Sequence, residues 1–292
     1  MLQRPILLSA TILIIAISFM MLPLSSSTSI AADVQTAPSL TPTLGLVPHK
    51  ALYEIKMTSR SSGAPIVNIS GEMFYEWKPS CDAWTTDHRF NLMYEYSDSA
   101  PLRITSNFST YENYDGKSFD YTSRRMRNGD LYEELRGQAL MNDNNTGEAV
   151  YSLPEGLVFN LQDNTMFPMA HTVELLRLIG QDRRFFSAVV FDGSDDEGPV
   201  EINTFIGAPV NVMGQIEMSP AIDPSLINVP AHKVRMAFFP VLEPDADAEY
   251  EMDMFFHENG VISDMHVEYR EFSVRQSLKA LEKLPLADCP AE

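Results

Sequence analysis

The sequence predicts a mainly β protein: one long antiparallel sheet, strongly curved and wrapped around a central helix. Three observations lead there. Short runs alternate apolar and polar residues with the period of a half-buried strand, Asx-Gly dipeptides separate several of those runs, and one strongly apolar helical segment interrupts them.

The alternation is clearest in Arg89–Tyr96. Phe90, Leu92, Tyr94 and Tyr96 point one way, and Arg89, Asn91 and Glu95 the other. It recurs in Glu249–His257, with Tyr250, Met252, Met254 and Phe256 set against Glu249, Glu251 and Asp253. Such patterns put one strand face on a core and the other in water. Asp115-Gly116, Asn128-Gly129 and Asn259-Gly260 tolerate the positive φ that tight hairpin turns demand. Strands are therefore expected near 49–57, 68–78, 84–96, 102–113, 118–127 and 130–140, and again near 185–191, 200–206, 231–240, 248–257 and 261–272.

Between the two sets, Pro168 suits the first helical position, where its missing N–H costs nothing, and Gly180 suits the C′ stop. Met169, Val173, Leu176 and Ile179 form one stripe, which Leu175 and Leu178 widen. A helix this apolar requires enclosure on most sides. A curved sheet supplies that; one face of a β-sandwich is the competing arrangement. The segment Phe272–Leu284 leaves its type open, because Val274, Leu278 and Leu281 have helical spacing while the segment directly continues a strand.

The N-terminus sets the compartment. Arg4 precedes an apolar run from Pro5 to Pro23, followed by small residues at Ala31 and Ala32, so residues 1–32 read as a signal peptide. Residues 33–47 are rich in Thr, Pro and Ser and read as a flexible leader, and 48–292 as a single β domain. No later run is long and apolar enough to span a membrane, so the cleaved product is expected to be exported, soluble and not membrane-spanning. Losing Arg4 takes the formal charge from −19 to −20. A field of that sign repels nucleic acid, and partners are expected to be neutral, basic or bridged by cations.

Cys81 and Cys289 are the only cysteines. In an oxidising compartment an even count is read as a disulfide, here closing a loop of more than two hundred residues and worth at most roughly 5 kcal/mol on the chain-entropy model. Neither has a CxxC neighbour or metal-ligand spacing.

Catalytic motifs such as GxSxG, HExxH and the P-loop do not occur, so no enzyme activity, cofactor or metal is expected. His266, Glu268 and Arg270 share a predicted strand face, which reads as solvated polar surface, and His171 in the apolar helix reads as a hydrogen-bonded structural residue. The acidic runs Asp192–Glu197 and Glu243–Glu249 read as solvated loops; the first lacks the Gly and the bidentate Glu of a calcium loop. Apolar residues opposite the obvious core face, such as Met93, Tyr111, Phe239 and Phe255, fit either a thick core or an apolar groove.

Several segments resemble the periplasmic cell-envelope-integrity family EipB: Leu46-Val47-Pro48-His49-Lys50-Ala51-Leu52-Tyr53, Cys81 ahead of Phe90, Asp115-Gly116-Lys117 leading into Phe119, and Leu284-Pro285-Leu286-Ala287-Asp288-Cys289. The resemblance implies a spiral sheet around a helix, a Cys81–Cys289 disulfide, a terminal strand after Phe272, and a role in maintaining the Gram-negative envelope. The expected function is thus a soluble, non-enzymatic periplasmic protein that binds an envelope protein or lipid component. A carrier of a lipid or other hydrophobic ligand is the alternative.

Overall fold

Residues 45–242 and 246–289 are described in the computed structural model. The expected signal peptide and most of the expected leader lie outside them. Fourteen strands and two helices follow in order: β1 (His49–Arg60), β2 (Ile66–Pro79), β3 (Ala83–Tyr96), β4 (Leu102–Asn113), β5 (Ser118–Arg127), β6 (Asp130–Met141), β7 (Gly147–Leu153), β8 (Val158–Leu161), α1 (Pro168–Ile179), β9 (Phe185–Val190), β10 (Val200–Val210), α2 (Pro224–Ile227), β11 (Ala231–Pro240), β12 (Tyr250–His257), β13 (Ile262–Tyr269) and β14 (Phe272–Lys283).

All fourteen strands form one antiparallel sheet in the order β8-β7-β6-β5-β4-β3-β2-β1-β14-β13-β12-β11-β10-β9. Each half of the chain is a meander, and the halves meet where β1 pairs with β14, Ala51 lying opposite Leu281 and Ile55 opposite Gln276. Helix α1 connects the two outer edges, β8 and β9. Those edges do not pair with each other; Met166, just before α1, makes one parallel bridge to Val190.

The sheet curves because its inner face closes on the helix. Met169, Leu175, Leu176, Leu178 and Ile179 of α1 share a single core with Tyr53 and Ile55 of β1, Trp77 of β2, Ile206 of β10, Phe256 of β12 and Leu278 of β14. Residues from strands on both sides of the β1–β14 seam therefore surround one helix, as the apolar stripe demands. The arm β5–β8 carries a second, aromatic core: Phe119, Tyr121 and Tyr151 pack on Phe167 and Phe191. That arm rolls back onto the β9–β10 connection, where Tyr151 Oη donates to the Asp195 carbonyl at 2.6 Å and Arg125 Nη2 to that of Ser194 at 2.7 Å.

Gly193 makes that contact possible. Its φ is +65°, and a Cβ there would lie 2.5 Å from the Tyr121 ring. Gly193→Ala should therefore destabilise the protein by about 1–3 kcal/mol, combining left-handed strain with overpacking. Urea unfolding of the variant measures it, and a midpoint equal to wild type would show that the arm is not held at this contact.

Some expectations shift. The C-terminal segment is a strand, β14, and does not continue the strand before it: a turn at Arg270-Glu271 separates β13 from β14. Arg270 accordingly leaves the strand face it was expected to share with His266. Gly180 stays right-handed at φ −63°, and Asp182, at φ 53°, takes the left-handed position, with Arg183 N donating to Leu178 O at 3.0 Å. The packed body also begins before Pro48, since Leu46 is buried and Val47 N donates to the Asn259 carbonyl at 3.0 Å.

Candidate functional site

Three fixtures hold the sheet around α1. The first is covalent. Because His49 at the start of β1 lies opposite both Trp77 and Lys283, the ends of β2 and β14 arrive at the same end of the sheet. Cys81 and Cys289 follow those ends and are joined, Cα to Cα 5.5 Å, across 208 residues of sequence. Leu284 N donates to Pro48 O at 2.8 Å, while the tail from Pro285 to Cys289 is exposed. The disulfide thus tethers a strap and does not plug a core.

The second fixture is electrostatic. Helix α1 begins at Phe167 without a side-chain cap of its own. Glu112 of β4 supplies one: its Oε2 accepts from Met169 N at 2.7 Å and its Oε1 from Ala170 N at 2.6 Å. Two orphan donors at the start of the helix meet the two oxygens of one buried carboxyl group. Glu112 is only 1% exposed, and burial pushes its pKa up to about 8 against the pull of those two amides. Its neighbour across the strand pair, Phe119, stacks on Phe167 at 5.1 Å, so β4 and β5 grip the helix start together.

The third is the amide of Asn259. Its Nδ2 donates to Leu226 O at 2.9 Å, its Oδ1 accepts from Val261 N at 3.2 Å, and its carbonyl accepts from Val47 N. One buried residue thereby ties α2 and the β12–β13 turn through its side chain and the entering chain through its backbone carbonyl. The sequence marks Asn259-Gly260 as a turn, which Gly260 confirms at φ +85°; the structural role of the amide was not signalled by composition or spacing.

These three segments and the end of α1 frame a cleft of about 720 Å³. Val47, Leu176, Ile179, Leu226 and Val229 give it an apolar lining, with Glu258 and Lys283 contributing opposite charges. Of the side chains weighed from sequence for chemistry, namely His171, His266, Glu268, Arg270 and the two acidic runs, none lines it, although Leu176, Ile179 and Asn259 of the predicted helix and turn do. His171 is buried inside the core, stacked on Phe186 at 5.2 Å, and burial pushes its pKa down to about 4. Its Nε2 has no hydrogen-bond partner among the described residues, contrary to expectation on that side of the ring.

His266 lies on the outer face in a shallow concavity of about 340 Å³. Its Nε2 is 3.0 Å from Thr58 Oγ1, and the surrounding charges are paired, Lys233 with Asp253 and Arg275 with Asp264. The Asp192–Glu197 loop spends its carboxylates locally: Asp192 Oδ1 accepts from Ser194 N and Asp195 Oδ1 from Glu197 N, each at 2.9 Å. In the second acidic run, Glu243 and Asp245 lie outside the described residues. Among those described, no group of three or more His, Cys, Asp or Glu side chains has metal-holding geometry, and no helix is long and apolar enough to cross a membrane.

An open antiparallel sheet rolled around one helix, with a disulfide bracing the two strands that flank β1 at its middle, is the class of protein these features define. The chain belongs to the EipB-like family, whose model matches residues 41–285. It is 28% identical over 244 residues to the cell envelope integrity protein EipB of Brucella abortus (strain 2308), covering 81% of this chain and 84% of that one. Its fold is similar to the crystal structure of a beta-barrel-like protein of the domain of unknown function DUF1849 from Brucella abortus. That match has a TM-score of 0.75 at 25% identity and covers 82% of this chain and 99% of the other.

Proposed function

We propose that this chain is a non-enzymatic periplasmic protein that supports the integrity of the cell envelope by binding an envelope component or partner protein in the cleft between α1, α2 and the β12–β13 turn. The cleft carries the reading: about 720 Å³, with apolar side chains from α1 and α2 and a lysine, Lys283, at its lining. Family membership supports the envelope role, and the disulfide fits export to an oxidising space. The apolar lining also favours a second reading, in which the bound component is an acyl chain and the protein a carrier.

Deleting the gene in its host should sensitise cells to membrane-disrupting detergent, and a wild-type copy should restore resistance. A copy with Val229→Trp, which places a bulky ring across the apolar lining of the cleft, should fail to restore it although exported at the normal level. Full restoration by the filled variant would remove the cleft from the function. Lipid extraction of the protein purified from its own envelope distinguishes a carrier, which arrives loaded, from a protein that binds a polypeptide.

A further inference from the structure

The open edge of β9 is built to accept another strand. Ile206 N donates to Arg184 O at 2.9 Å, which fixes the hydrogen-bonded pairs along β9 and β10 as Arg184–Ile206, Phe186–Thr204 and Ala188–Ile202. The backbone groups of Phe185, Ser187 and Val189 consequently point away from β10, toward the outer edge. Val189 confirms this, since its carbonyl accepts from Met166 N at 2.8 Å, and Phe191 N in turn donates to Met166 O at 3.0 Å. One residue of the chain itself has therefore already been added to this edge in parallel. Before it the chain turns away, Asn164 N donating to Asn145 O, which leaves the slot beside Phe185 and Ser187 without a strand.

The side chains beside that slot have no structural task. Phe185 is 71% exposed and Phe205 46%, and the two rings meet at 5.2 Å on the outer face, where their strand positions are directly opposed. Arg183 and Arg184 are exposed and have no carboxylate partner among the described residues, the Arg184 guanidinium donating to the Ile206 carbonyl at 3.4 Å. Asp182 is adjacent, Glu201 is held by the Ser187 hydroxyl, and Arg235 across from Phe205 is engaged with Glu251 and Asp253. In a chain of formal charge −19, two adjacent unpaired arginines next to solvated rings form a local exception.

We propose that this edge takes up an extended segment of a partner polypeptide as an added strand, selecting segments that alternate carboxylates with apolar side chains. The backbone of Phe185 and Ser187 would supply the hydrogen bonds, the two rings an apolar seat, and Arg183 and Arg184 the charge preference. This surface is separate from the cleft, so the proposal stands independently of cleft binding.

The test uses the signal-free protein and two short synthetic peptides, one alternating glutamate with valine and phenylalanine, the other with lysine replacing glutamate. The glutamate peptide should bind at least about tenfold more tightly than its lysine counterpart, a difference near 1.4 kcal/mol. It should also slow amide exchange at Phe185 and Ser187. Ser187→Pro, which removes an outward N–H and no bond to β10, should abolish binding, and R183E with R184E should reverse the charge preference. If the proline variant fails to fold, amide protection in the wild type decides alone. Equal or absent binding of the two peptides, or binding without protection at Phe185 and Ser187, overturns the proposal. So does preferential uptake onto phosphatidylglycerol vesicles without such protection, which would make the rings and arginines a lipid contact.

Discussion

Replacing both Cys81 and Cys289 with serine should lower the free energy of unfolding by up to about 5 kcal/mol and yet leave the rolled sheet in place. The disulfide spans 208 residues, so its loss frees nearly the whole unfolded chain. The native state, by contrast, gives up little. β1 and β14 remain paired from His49–Lys283 to Arg60–Phe272, and the strap beyond Lys283 is exposed already. The melting temperature should fall by roughly 10 °C. Amide exchange in the folded double-serine variant should accelerate only around Ser80–Asp82 and from Leu284 onward. Equal denaturant midpoints for oxidised, reduced and double-serine protein would show that the covalent brace contributes nothing to stability. Loss of β1–β14 protection would show instead that the disulfide is what seats the terminal strand.

Much of this architecture is legible in the sequence because its physics is local. Period-two alternation identifies β3 and β12 directly, since each has one face on the core. Asn128-Gly129 marks its hairpin, and both residues have positive φ, at 52° and 95°. The β13–β14 turn is silent for the opposite reason: Arg270-Glu271 contains none of the residues that usually mark a chain reversal. β7 is blurred by Val150, an apolar residue 45% exposed on the outer face, and β8 has only four residues in which to show a period. α2 does carry a signal, Asp223 capping Ser225 N ahead of Pro224, but it is too short for an apolar stripe. The cleft is illegible because it is a product of topology. Val47, Leu176, Leu226 and Lys283 come together only once β14 has paired with β1, and nothing near any one of them in sequence encodes that pairing. Glu112 is hidden in the same way: on β4 it looks like one more polar residue, and only the arrival of α1 turns it into a cap.

Glu112 and the buried histidines should give the protein a stability maximum near pH 6.5, with limbs that one substitution moves in opposite senses. Consider first the alkaline limb. Glu112 has a folded pKa near 8 against an ordinary value of 4.5, so between those values the folded state holds a proton that the unfolded chain has released. Stability contributed by this group is complete below pH 4.5 and is lost as pH rises toward 8, at up to about 1.4 kcal/mol per pH unit. Histidines work in the reverse sense. Burial pushes His49, His88 and His171 down to about 4, and lowers His257 as well, so the unfolded chain binds protons below pH 6.5 that the fold refuses. Their contribution is present above 6.5 and is lost as pH falls toward 4. On that side four histidines outnumber the three carboxyls raised by burial, Glu112, Asp192 and Asp264, so the slope keeps the histidine sign. Glu112→Gln keeps the side-chain shape and one acceptor for the start of α1 but cannot titrate. It should flatten the limb between pH 6.5 and 8 and steepen the acid limb between pH 4.5 and 6.5, where the Glu112 proton opposes those of the histidines. Glu112→Ala also leaves two helix amides unpaired in the core and should cost about 2–4 kcal/mol at pH 6.5. Denaturant midpoints at pH 5, 6.5 and 8 read both effects, and an alkaline limb equally steep in wild type and Glu112→Gln would mean that this carboxyl is already ionised against the helix throughout the range.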